Sequence, residues 1–206
     1  MHIILASTSP RRRELLARLD IVFDVVAPDV NEALLVGESP QQMAERLAQL
    51  KANAVAAERP GAIVVGSDTI VVLNEVVLGK PESPADAERM LTTLAGRTHE
   101  VITAVAVYDP RTRHTHVIAE VAWVRMTRLD AATIAAYVAS GEPMDKAGAY
   151  AVQGLGGRLI ESIDGDYFAV VGLPLQATAM LLQRVGLVIT TDLHALYKDV
   201  RTHVKN

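Results

Sequence analysis

No cysteine occurs anywhere in the 206 residues, which excludes a disulfide framework, a thiolate zinc site and a cysteine nucleophile, and fits a reducing compartment. No apolar run approaches the roughly 20 residues that a membrane span needs. The N-terminus also lacks a basic segment followed by an apolar stretch, so the expectation is a soluble, unexported protein. Positive charge is not in surplus either: 20 Lys and Arg stand against 24 Asp and Glu, a net charge of −4. That balance argues against a broadly basic nucleic-acid-binding surface, so any anion site has to be local. There is no internal repeat, low-complexity segment or linker, and a single domain over 1–206 with two lobes is expected.

Half of the residues are hydrophobic and 21% are charged, both near the globular norm. Ser-Pro opens a helix three times, at Ser9-Pro10, Ser39-Pro40 and Ser83-Pro84, and Gln42 adds a capping box to the second. Strands are expected at Ile3 to Ala6, Ala62 to Val65, Ile70 to Leu73 and Val76 to Leu78, with Asn74-Glu75 as a tight turn. Two longer strands, Val101 to Tyr108 and His116 to Met126, flank the Asp-Pro turn in "DPRTR". Asp130 caps a helix that runs to Ser140 and stops at Gly141. "GAYAVQGLGG" and "YFAVVG" read as later strands, Pro174 as the start of a helix to about Val185, and Asp192 to Val204 as a last helix with one apolar face. Helices and strands mix without strict βαβ alternation, which predicts an α/β fold: a mixed sheet flanked by helices.

The chemistry begins with "ASTSPRRRELL". Arg11, Arg12 and Arg13 fall in the first turn of a helix, where the exposed N–H groups are already positive and cations cost roughly 0.3–1 kcal/mol each. Either a strand, a hydroxyl-rich turn and a helix N-terminus form an anion site, to which Ser7, Thr8 and the arginines add donors, or the stretch is a solvated basic turn partly neutralised by Glu14. Arg12 shares the apolar stripe of Leu15, Leu16 and Leu19 and Arg11 shares an edge with Leu15, so at least one arginine should lean over the sheet end.

Asp68 interrupts the apolar run "AIVVGSDTIVVL". A buried carboxylate without a partner is costly, so it either serves a metal, a cation or a catalytic task, or sits in a Gly66-Ser67-Asp68 turn between two strands. Thr69 beside it either meets a ligand or suits a strand. Lys51 borders the apolar face of its helix near Leu47, and Lys80 follows a strand in "LGKPE". "GKP" lacks the first glycine and the Ser/Thr of a phosphate-binding Walker loop, and "GLGGRL" carries Leu159 where a dinucleotide fingerprint needs glycine. "GEPMDKAGAYAVQG" contributes Asp145, Lys146 and Gln153. His114 and His116 share a strand face, but no third metal ligand accompanies them.

Together these stretches resemble the Maf family of nucleoside triphosphate pyrophosphatases. "ASTSPRRRELL", "VGSDTIVVL", "LGKP", "GRTHEVITAVAV", "DKAGAYAVQG" and "VVGLPL" occur in family order over nearly the whole chain. The resemblance implies an elongated α/β fold similar to the inosine triphosphatase group, with a cleft between two lobes. It also implies a cytoplasmic enzyme, commonly a homodimer, that uses a divalent cation, Mg²⁺ or Mn²⁺, to split a nucleoside triphosphate into monophosphate and pyrophosphate. Arg11, Thr69 and Gln153 match the branch active on dTTP and UTP. On this reading Ser7, Arg11, Arg12, Lys51 and Lys80 hold the phosphates, Glu32 and Asp68 serve the metal, and Asp68 accepts the proton of the attacking water. Thr69 and Gln153 select the pyrimidine. The family's acidic "DVDE" reads "DVNE" here, with Asn31 before Glu32, which implies one less negative charge near the metal. The alternative is a nucleotide-binding regulator of cell division that retains the cationic cradle but has lost hydrolysis.

Overall fold

The computed structural model describes residues 1–201. Seven strands form one mixed sheet: β1 (Ile3–Ala6), β2 (Asp24–Val26), β3 (Ile63–Leu73), β4 (Val76–Leu78), β5 (Thr98–Asp109), β6 (His114–Met126) and β7 (Ile160–Asp164). Their order is β2-β1-β3-β5-β6-β7, with β4 on β3. β1 runs parallel to both β2 and β3, and the remaining pairs are antiparallel. Seven helices complete the described residues: α1 (Pro10–Ala17), α2 (Pro40–Glu58), α3 (Pro84–Leu94), α4 (Ala131–Ala139), α5 (Tyr167–Val171), α6 (Leu175–Arg184) and α7 (Leu193–Arg201). None is long and apolar enough to cross a membrane.

Alternation along β3 divides the core. Ile63 and Val65 join Leu16, Phe168, Leu173 and Leu182 on one face, while Val64, Ile70 and Val72 meet the alanine-rich side of α2 on the other, as a period of two requires. A third cluster gathers the far ends of β3, β5 and β6 beneath α3 and α4, around Leu91, Leu94, Val124 and Met126.

All three Ser-Pro helix starts form as expected. Ser9, Ser39 and Ser83 accept from the backbone N–H groups of Arg12, Gln42 and Asp86, and Gln42 returns a bond to the Ser39 N–H at 2.9 Å. Asn74 and Glu75 both adopt positive φ, the twist that a two-residue hairpin requires. The C-terminal helix packs Leu193, Leu196 and Tyr197 on the core, and its expected continuation to Val204 lies outside the described residues.

Three strand assignments differ from expectation. The segments Ala62 to Val65 and Ile70 to Leu73 are parts of one eleven-residue strand, because β5 pairs with it continuously from Val64 to Val72; Asp68 is therefore not a turn residue. "YFAVVG" forms α5: Asp166 caps it by accepting from Phe168 N–H at 2.8 Å, and Gly172 ends it at φ +129°. Its two adjacent valines favour a strand locally, and the caps override them. "GAYAVQGLGG" forms short 3₁₀ turns, since Gly148, Ala149 and Gly154 take positive φ, which breaks extended backbone. β2 and β7, both short, carry no clear sequence signal.

Candidate functional site

The site originates in an unpaired stretch of strand edge. β1 covers β3 from Ile63 to Gly66 and β4 covers it from Val71 to Leu73, leaving residues 67–70 uncovered on that edge. A cavity of about 780 Å³ opens there. Strand alternation then sends Asp68 to the α2 face and Ser67 and Thr69 to the α1 face.

On the α2 face, Gly66 permits the close approach. A Cβ at this position would lie 2.3 Å from the Ala48 carbonyl oxygen, so only glycine lets α2 lie this close to the strand. One turn along α2, Lys51 is thereby brought to Asp68. Its Nζ lies 2.6 Å from Asp68 Oδ1 and 2.8 Å from Glu32 Oε1. Two of its three N–H groups face these carboxylates, and the third is left for a ligand oxygen. Burial pushes Glu32 up, but the hydrogen bond from Lys51 and the charges of Lys51, Lys80 and Arg12 together hold it below its ordinary value. Asn31, the departure from the family's acidic residue, accepts the Ala33 N–H at 2.9 Å through its side-chain oxygen. It does not line the cavity, and its role is to fix the turn that presents Glu32.

On the α1 face, Arg12 leans over the sheet as its helical position predicts. Its Nε donates to the Gly172 carbonyl at 2.9 Å and its Nη2 to Thr69 Oγ1 at 3.1 Å. Burial lowers its pKa, opposed by the charges of Asp68 and Glu32. Ser7 is buried, and its Oγ accepts the Ser9 N–H at 3.1 Å, which leaves its own proton for a ligand. Arg11 reaches across to Asp145, at 3.7 Å, and Asp145 is also paired with Lys146. Arg13 is exposed and does not line the cavity.

The nine residues expected from sequence to hold phosphate, metal or base, Ser7, Arg11, Arg12, Glu32, Lys51, Asp68, Thr69, Lys80 and Gln153, line this one cavity, whereas Arg13, Asn31, His114 and His116 do not. The same lining includes an apolar wall of Val71, Val101, Val170 and Tyr150, which pack in one cluster. Gly148 seats that wall: its N–H donates to Gly79 at 3.0 Å, and a Cβ there would lie 2.9 Å from Val71. Sequence reasoning missed Ser67, Thr103, the Gly172 carbonyl and His99. The signal was faint, being only small hydroxyls on otherwise apolar strand faces.

His99 is buried, and its Nε2 lies 2.7 Å from the Tyr150 hydroxyl. Its Nδ1 is buried without a partner among the described residues. Burial lowers its pKa from 6.5 to about 4. Between these values the unfolded chain holds a proton that the folded chain refuses, so stability falls as pH drops through this window. Going from pH 7 to pH 5 should cost about 2 kcal/mol at this group. His99→Gln keeps a partner for Tyr150 but cannot titrate, so its melting temperature should depend less on pH over that range. An unchanged pH slope in the variant would assign the acid sensitivity elsewhere.

Among the described residues, no group of three or more His, Asp and Glu side chains gathers as a metal cage. Two carboxylates nevertheless converge on one cationic atom, and that donor set suits a cation which completes its shell with water and ligand oxygens.

An uncovered strand edge with arginines, lysines, two carboxylates and apolar side chains in one cavity lining defines an α/β protein with a mixed polar and apolar cleft. The chain belongs to the Maf family: residues 2–185 match the family model described as Maf-like protein. It is 50% identical over 196 residues to a dTTP/UTP pyrophosphatase of Shewanella oneidensis, covering 91% of this chain and 100% of that one. It is also 50% identical over 190 residues to a dTTP/UTP pyrophosphatase of Symbiobacterium thermophilum, covering 92% and 97%. Among solved structures, the Staphylococcus aureus Ham1 protein aligns over 78% of this chain and 80% of its own, at 18% identity and a TM-score of 0.47.

Proposed function

We propose that the protein is a nucleoside triphosphate pyrophosphatase acting on dTTP and UTP. The observation that carries this reading is the convergence on one cavity of nine residues drawn from separate segments, five of them Ser7, Arg11, Arg12, Lys51 and Lys80. Relatives with half of their residues in common carry that activity in their names.

Ser7, Arg11, Arg12, Lys51 and Lys80 hold the triphosphate, the four cations offsetting its charge, with Arg12 as a fork held ready by Gly172 and Thr69. A water attacks the α-phosphorus, its oxygen forms the new P–O bond, and the bond to the bridging oxygen of the β-phosphate breaks. Asp68 takes the water's proton, and pyrophosphate leaves into the cationic cradle. A Mg²⁺ or Mn²⁺ bound by Glu32 and Asp68 would supply charge neutralisation and a more acidic water. Gln153 offers an acceptor and donors to the edge of a pyrimidine, while Arg11 and Thr69 occupy the other two positions that mark the branch. A cytoplasmic homodimer and no nucleic-acid partner go with this reading through the family resemblance and the acidic balance.

The protein with Mg²⁺ or Mn²⁺ should release pyrophosphate with UMP or dTMP from UTP or dTTP. Release of orthophosphate would move the cleavage to another bond, and tight binding without turnover under either metal would favour the regulator.

A further inference from the structure

The α1 face of the sheet contains a chain of hydroxyls below the cavity. Thr103 is opposite Thr69 in the β3–β5 register, is fully buried, and does not line the cavity. Its Oγ1 lies 2.7 Å from the Ala169 carbonyl and 3.0 Å from Thr69 Oγ1. A carbonyl can only accept, so the single proton of Thr103 goes to Ala169, and Thr69 must donate its own proton to Thr103. The oxygen of Thr69 then accepts from Arg12 Nη2 with one of its two lone pairs. The other side of the guanidinium is fixed in the same way, because the Gly172 carbonyl that accepts Arg12 Nε also accepts from Ser67 Oγ at 3.0 Å. Ser67, like Thr103, is fully buried.

We propose that Thr103 is a positioning residue for Arg12, acting through Thr69, whose hydroxyl thereby serves the phosphate end of the cleft. This rests on the assignment of Arg12 to the phosphates. With its proton on Thr103 and one of its two lone pairs on Arg12, Thr69 has no proton left to donate to a pyrimidine edge. Fork geometry matters here because guanidinium recognition of phosphate is bidentate and planar.

The test is a mutant cycle read by calorimetric binding of UTP and of inorganic triphosphate, with steady-state kinetics on UTP alongside. Thr103→Val and Thr69→Val should each weaken both ligands by a similar factor, about fivefold to tenfold, leaving the ratio of the two affinities unchanged. Thr103→Ser should restore binding to within about twofold, since it keeps the hydroxyl. In an Arg12→Lys background, Thr103→Val should have almost no further effect, because the fork it orients is gone. Additive losses, or weakened UTP with unaltered inorganic triphosphate, would overturn the proposal. If Arg12→Lys by itself leaves triphosphate affinity unchanged, the phosphate assignment of Arg12 fails and takes the proposal with it. If Thr103→Val does not fold, Thr69→Val, nearer the surface, carries the same cycle. Binding without turnover in the parent protein would refute the hydrolytic reading while leaving this test intact.

Discussion

Asp68→Asn is expected to lower kcat for UTP by about 10²–10⁴, the range associated with loss of a positioned general base, while changing UTP affinity only a few-fold. The variant keeps the size of the side chain and an oxygen that Lys51 can still donate to. Arg11, Arg12 and Lys80 make no hydrogen bond to Asp68, so the phosphate cradle should survive. The paired measurements are pyrophosphate release and nucleotide binding on one preparation. Near-normal turnover would show that another group takes the proton. Equal losses in binding and turnover would instead make Asp68 a support for Lys51 and the cradle, with no proton transfer of its own.

The site was more legible in the sequence than the elements around it, for a physical reason. A buried carboxylate in an apolar strand and three arginines at the positive end of a helix dipole are both unfavourable unless something answers them. Each such cost can be read from one short stretch of chain. The Arg12 lean followed likewise from helical spacing, and the fork that results spans α1, β3 and the turn after α5. What local pattern could not supply was the uncovered edge itself. Residues 68–70 line the cavity because two other strands stop short on either side, which is a property of topology. The same holds for Thr103, whose meaning depends on lying opposite Thr69. "YFAVVG" illustrates the converse: two adjacent valines suggested extended chain, but Asp166 and Gly172 cap it as a helix. Apolar runs of this length do not tell a strand from a buried helix.

Lys51→Met should give the largest loss of stability at the site. The ammonium is buried with Asp68 at 2.6 Å, and removing one member of a buried pair typically costs about 3–5 kcal/mol because the other charge is left uncompensated. At this chain length that corresponds to a fall of roughly 6–20 °C in melting temperature. Glu32, more than half exposed, can turn toward water and adds little to the cost. Two further measurements separate the charge effect from lost packing. Adding Asp68→Asn to Lys51→Met removes the orphaned carboxylate, so the double variant should be more stable than Lys51→Met alone, a coupling that packing loss would not produce. Millimolar Mg²⁺ should raise the melting temperature of Lys51→Met more than that of the parent, since the two carboxylates that faced the ammonium are left to face a cation. If the double variant is instead the less stable and Mg²⁺ shifts both proteins equally, the ammonium contributes mainly its aliphatic packing, and the convergence of Glu32 and Asp68 does not mark a cation position.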